Sequence, residues 1–248
     1  MNFLKQYIVE LAPTKDQHWY SVWRKKEDGS KGIFIGNFPS VTTHLNAYPT
    51  SKQLQEWIGD NGWNESQRIK SLAGRRGTNT HTGIEDLLNG AELQAVGFDL
   101  FEWDSLFGFC NWFEDYKPKV IAIELPIFSE QHGYAGRADG LYLINNEIVL
   151  PDNKTSRNMH KSFWLQFAAY ANAVEEMTDV KIDRTATIKL GVAGDKHYRF
   201  IYEPQPWREA FEVYLAVKKT WEYDTEYEEG KSAPVLSLPL SLKLNLNA

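Results

Sequence analysis

The chain has 248 residues, 42% of them hydrophobic and 24% charged, with a net charge of −6. That composition is globular and excludes a polycation, so any nucleic acid would have to be held by a local basic patch and by bound metal. Its single cysteine, Cys110, excludes an intrachain disulfide and a cysteine-only zinc or iron–sulfur site.

The opening residues lack the apolar core of a signal peptide, and no apolar run approaches membrane length. The expectation is a cytoplasmic protein with no membrane contact. Residues 18–24 and 32–37 read as two short strands around the turn KKEDGSKG, and residues 1–37 as a strand-containing extension without chemistry. Ser51 is suited to cap a helix reaching about Trp57, and Asn64 to cap a longer one. In the longer helix Ile69, Leu72, Ala73, Thr80, Ile84, Leu87 and Leu88 recur at three- and four-residue steps, which predicts an inward stripe. His81 falls on that stripe, one turn before Glu85; periodicity alone reads it as a core histidine. Gly77 inside a helix costs about 1 kcal/mol against Ala, which close approach of another backbone or of DNA would explain. Lys70, Arg75 and Arg76 precede it, either as a solvated face or as a phosphate-contact patch.

Trp103, Leu106, Phe107, Cys110 and Phe113 fit a further helix, and residues 120–128 a buried strand whose only charge is Glu124. Residues 136–156, GRADGLYLINNEIVLPDNKTS, then read as a hairpin. Asn145-Asn146 is suited to a two-residue type I′ turn, because Asn tolerates positive φ. That turn pairs Ile144 with Glu147, and counting outward sets Leu141 against Leu150 and Asp139 against Asp152. Opposed carboxylates repel unless a cation lies between them. Lys154, two residues past Asp152, projects from the same face. The cluster is either an ordinary surface group or a site for a hard cation and an attacked phosphate. Leu141, Leu143, Ile148 and Leu150 share the predicted Asp139/Asp152 face, which turns it inward, where unpaired carboxylates are costly. Pro151 could shift the register by one.

TSRN at 155–158 is suited to cap a helix over residues 159–177, on which Gln166 and Tyr170 share a face and Ala168, Ala169, Ala171 and Ala173 allow close approach to a sheet. Residues 185–192 and 196–202 read as another hairpin; its GVAGDK turn lacks P-loop spacing. Pro206 suits the first position of a last helix reaching about Tyr223. The tail, residues 230–248, alternates Leu with polar residues, fitting an edge strand or self-association with a second chain. The order of elements predicts an α/β domain over residues 38–229, a mixed central sheet flanked by helices.

Gly136-x-x-Asp139, Asp152-x-Lys154 and Gln166-x-x-x-Tyr170, in this order and spacing, resemble the core of PD-(D/E)XK nucleases in the RecB-type exonuclease form. PSVTT at 39–43, Trp57 and RRGTNTHTGIE at 75–85 resemble the N-terminal half of the mitochondrial genome maintenance exonuclease group and its phage counterparts. The resemblance covers roughly residues 38–175 and implies a restriction-endonuclease-like core. It implies that His81 is a metal ligand with Asp139 and Asp152, that Glu124 occupies the place of a glutamate ahead of the Gly-x-x-Asp motif, and that Gln166 and Tyr170 border the DNA path. The lone cysteine separates the chain from relatives carrying a four-cysteine cluster.

The function so implied is a Mg²⁺- or Mn²⁺-dependent deoxyribonuclease, an exonuclease on single-stranded DNA or DNA ends, in a prokaryotic or phage-infected cell. Asp139, Asp152, Lys154 and Glu124 would be catalytic; Arg75, Arg76, Gln166 and Tyr170 would contact nucleic acid. The rivals are a non-catalytic nucleic-acid-binding or assembly protein on the same fold and a serine hydrolase, which the lack of G-x-S-x-G disfavours.

Overall fold

A computed structural model describes residues 6–13 and 18–226. The N-terminal part is a three-stranded antiparallel sheet of β1 (Tyr7–Ala12), β2 (Trp19–Lys25) and β3 (Lys31–Pro39). Short α1 (Val41–His44), α2 (Lys52–Asn61), α3 (Trp63–Leu88) and α4 (Leu100–Tyr116) follow. A second sheet has the order β4 (Lys119–Ser129), β5 (Tyr134–Ile144), β6 (Glu147–Lys154), β7 (Arg184–Leu190), β8 (Tyr198–Tyr202). It is antiparallel except for β6 and β7, which run parallel because α5 (Lys161–Met177) crosses between them. The last helix is α6 (Trp207–Asp224). The molecule is thus a mixed α/β fold, and among the described residues no helix is long and apolar enough to cross a membrane.

The five-stranded sheet is buried on both faces. Leu125, Ala138, Leu141 and Leu150 pack under α5 and α6, while Tyr142, Ile144, Val149, Ala186 and Ile188 pack under α3 and α4 around Trp112. Each large aliphatic or aromatic side chain removed from water contributes about 1.5–3 kcal/mol. Ala168, Ala169, Ala171 and Ala173 are fully buried, and their small size lets α5 lie close to the sheet. The N-terminal sheet joins this body through Tyr7, Val9 and Val22, which meet Phe128 of β4 and Ala135 of β5.

Helix ends follow local chemistry. Ser51 caps α2, accepting the Leu54 N–H. Asp99 and Glu102 form a capping box at α4, whose first residue, Leu100, lies three before Trp103, where the periodicity begins. Three expected ends differ. Gly62 (φ 75°), not Asn64, precedes α3; glycine alone takes that angle freely. TSRN does not cap α5, which starts at Lys161 after His160 with no side-chain cap bond. Pro206 occupies the cap position of α6, one residue before its first turn. The stripe on α3 is buried only toward its C-terminus, at Thr80, Gly83 and Ile84; Ile69 and Leu72 are half-buried and Ala73 is exposed. The helix packs on α4 and, to a lesser extent, on α2, which itself buries no residue. The alternating tail lies outside the described residues.

Candidate metal centre

The central hairpin forms as its turn dictates. Asn145 and Asn146 both take positive φ (50° and 67°), the type I′ signature. The ladder pairs Ile144 with Glu147, Leu143 with Ile148 and Tyr142 with Val149, and then stops. Beyond it the strands part, so Asp139 and Asp152 are not a ladder pair. Instead Asp139 Oδ2 accepts the backbone N–H of Asn153 at 2.7 Å. Pro151 is tolerated in a central strand for the same reason: its ring nitrogen shares the parity of Asn153 N, on the side β5 has left. No register slip follows, since β6 stays paired with β7 from Val149 to Lys154.

A second irregularity aims the acids. Ala138 and Leu141 both pack under α5, although strict alternation would put residues three apart on opposite faces. The flip lies at Asp139-Gly140, where a Cβ on Gly140 would come within 2.4 Å of the Tyr142 ring. Ile123 pairs with Gly140 and Leu125 with Ala138, so Glu124 falls opposite Asp139, and it takes φ 44°. A non-glycine residue held there stores strain, a recurrent feature of functional sites. Both carboxylates thereby reach the C-terminal half of α3.

There His81 completes the group: ligand atoms of His81, Glu124 and Asp139 lie within 4.8 Å of one another. His81 Nε2 is 3.1 Å from the Asn153 carbonyl, which can only accept, so Nε2 carries a proton and Nδ1 faces Asp139 Oδ2 at 3.4 Å. Asn153 is therefore a main-chain hub, its N–H orienting Asp139 and its C=O orienting His81. Without metal the Asp139 carboxylate holds the imidazole proton, raising the His81 pKa to about 9. Asp139 is lowered: its burial opposes ionisation, but His81, Lys154 and the Asn153 N–H together prevail. Burial, then the Asp139 charge, pushes Glu124 up to about 7. His81 and Glu124 line a cleft of about 380 Å³ with Gly77, Thr78, Thr82, Glu85 and Arg137, and Asp139 lies behind them.

On the α5 side lies a tighter pair. Lys154 Nζ is 2.6 Å from Asp152 Oδ2 and donates to Gln166 Oε1 at 3.2 Å, while Gln166 Nε2 donates to the Tyr170 hydroxyl at 2.9 Å. The ammonium also lies 4.8 Å from the Phe163 ring centroid and 5.4 Å from that of Phe167. Asp152 is 2% exposed, and Oδ2 takes no well-angled hydrogen bond even from Lys154. Burial and the Asp139 charge raise its pKa to about 6 despite the lysine.

These residues fit a hard divalent cation. Carboxylate oxygens with one imidazole suit Mg²⁺ or Mn²⁺, the imidazole favouring Mn²⁺. Glu124 is an acid held reluctant to ionise, as is Asp152, although its Oδ2 lies 2.6 Å from the Lys154 ammonium. A cation at the cleft would supply the missing charge.

The expected nucleic-acid residues divide. Arg75 is exposed, as is Lys70. Arg76 is engaged within the protein: Nε donates to Asp99 Oδ2 at 2.6 Å and the guanidinium lies 5.4 Å from the Phe101 ring centroid, tying α3 to the start of α4. Gly77 meets no backbone; the nearest atom to an added Cβ would be Thr155 Oγ1 at an ordinary 3.6 Å. Tyr170 is buried, with Gln166 as its hydroxyl partner. Arg137, which lines the cleft, escapes a motif reading although it stands two residues before Asp139 on the same strand. No family model matches the chain, and no curated protein matches it.

Proposed function

We propose that this chain is a divalent-metal-dependent deoxyribonuclease of the PD-(D/E)XK kind, acting in the cytoplasm on single-stranded DNA or DNA ends. The observation that carries the reading is the convergence of His81, Glu124 and Asp139 within 4.8 Å beside the Asp152–Lys154 pair. His81, Glu124 and Asp139 would hold Mg²⁺ or Mn²⁺, with Asp152, paired to Lys154, as the neighbouring carboxylate. When bound, the metal supplies Lewis-acid polarisation of the phosphate and a water of lowered pKa.

The protein's own residues would do the rest. The Asn153 main chain fixes the orientation of Asp139 and the Nε2–H state of His81, leaving Nδ1 toward the cleft. Gln166, itself held by Tyr170, orients the Lys154 ammonium. Lys154 then stabilises negative charge developing on the phosphate oxygens, at no cost of reorganisation. The test is cleavage of labelled DNA with Mg²⁺ or Mn²⁺ against excess EDTA. Metal-dependent cleavage supports the reading, and undiminished cleavage in EDTA contradicts it.

A further inference from the structure

We propose that Arg137 grips a phosphate of the nucleic-acid substrate at the mouth of the metal cleft; this rests on the nuclease reading above.

Arg137 lies on β5, two residues before Asp139, and among the described residues it is the one arginine or lysine lining the cleft, with His81, Glu85 and Glu124. Its side chain is 50% exposed. Its charge partner is Glu124, with Nη1 to Oε2 at 3.6 Å, beyond a well-formed hydrogen bond. Among the described residues no acceptor takes a hydrogen bond from the guanidinium. A planar group with five donors in a fixed fork is thus held at the cleft with its hydrogen-bonding capacity unspent, and a phosphate is the anion that fork matches.

The other basic residues near the site are committed or remote. Lys154 is occupied by Asp152 and Gln166, and Arg76 by Asp99. Net charge on the chain is −6, so local cations must hold a polyanion. Its strand, β5, also contacts β2 of the N-terminal sheet. A cation held by Glu124 would leave the guanidinium free of its weak contact and available to the substrate.

The alternative is that Arg137 only balances Glu124. Arg137→Gln and Arg137→Lys separate the two. The probe is a short fluorescent single-stranded oligodeoxynucleotide, bound with Ca²⁺ across a salt series, and Mn²⁺ affinity is measured in parallel by calorimetry. The expected result for Arg137→Gln is oligonucleotide affinity weaker by about tenfold. Its log–log salt slope should be shallower by about 0.7, as for one lost phosphate contact on a single strand. Mn²⁺ affinity should be unchanged or tighter, and Arg137→Lys should restore the salt slope with only part of the affinity. Unchanged oligonucleotide affinity in Arg137→Gln, with Mn²⁺ binding tighter, overturns the inference and leaves Arg137 a counter-ion. If the wild-type protein binds no oligonucleotide and cleaves none, the nuclease reading and this inference fall together.

Discussion

The two flanks of the parted hairpin carry similar residue types in opposite electrostatic states. On the α5 flank Asp152 has its own cation, Lys154, at 2.6 Å, with Gln166 and Tyr170 behind it. On the α3 flank Glu124 and Asp139 share one imidazole and a loosely placed Arg137 at 3.6 Å. The first flank is a closed, oriented unit; the second borders a cleft and holds its charges in looser contacts, 3.4 Å from His81 to Asp139 and 3.6 Å from Arg137 to Glu124. On the function proposed above, the difference separates two tasks: a preset ammonium on one side, a place for an incoming cation on the other.

Removing the preset charge should have the largest effect. Lys154→Ala should lower the cleavage rate by about 10²–10³, the range for losing one oriented charge-stabilising donor, while DNA binding largely survives. Cleavage assays with parallel binding measurements check this; wild-type turnover would make the α5 flank merely structural.

Breaking the other flank should act on metal instead. His81→Ala should weaken Mn²⁺ binding by about 10–100-fold, with partial rescue of cleavage at high Mn²⁺. A core histidine would instead lower the melting temperature and leave Mn²⁺ affinity equal.

Gly140→Ala tests the flip that brings the acids to α3. The added Cβ would meet the Tyr142 ring, so the variant should lose about 1–3 kcal/mol of stability in chemical denaturation. A neutral result would show that the strand relaxes freely there.

The smallest effect is a pH dependence of the metal-free protein. His81, raised from 6.5 to about 9, contributes stability that is full below its unfolded value and lost as pH rises through about 9. Glu124, raised from 4.5 to about 7, and Asp152, raised from 3.8 to about 6, favour their protonated forms in the fold; stability they confer in acid is likewise lost as pH rises through those values. All three slopes have one sign. Melting temperature should therefore fall through this range without metal, and Mn²⁺ should restore more at about pH 8 than at about pH 5. A melting profile that rises with pH across that window would reverse the assignment.

Much of this arrangement was legible in the sequence, and the limits are physical. Two asparagines specify the turn, and the turn specifies the register to Val149. The spacing of Asp152 and Lys154 then puts them on one face. Alternation could not foresee the flip at Gly140, because a strand pattern carries no record of where a ladder breaks. It put Asp139 on the face of Leu141, yet the chain turns over between them. The role of Asn153 lies in its backbone, which no side-chain motif encodes. Arg76 looked free because its partner Asp99 is distant in sequence and belongs to a capping box. Strand β1 was unread because its evidence is pairing with β2, a tertiary fact. The α3 stripe overran its contact because periodicity marks a face and not what covers it.

The central claim is that the α3 flank holds a divalent cation through Asp139 beside His81 and Glu124. Calorimetric titration of Mn²⁺ into the wild-type protein and Asp139→Asn tests it most directly. Saturable binding to the wild type, lost or greatly weakened in Asp139→Asn with the folded state retained, is the expected result. Equal Mn²⁺ affinity in the two proteins would contradict it.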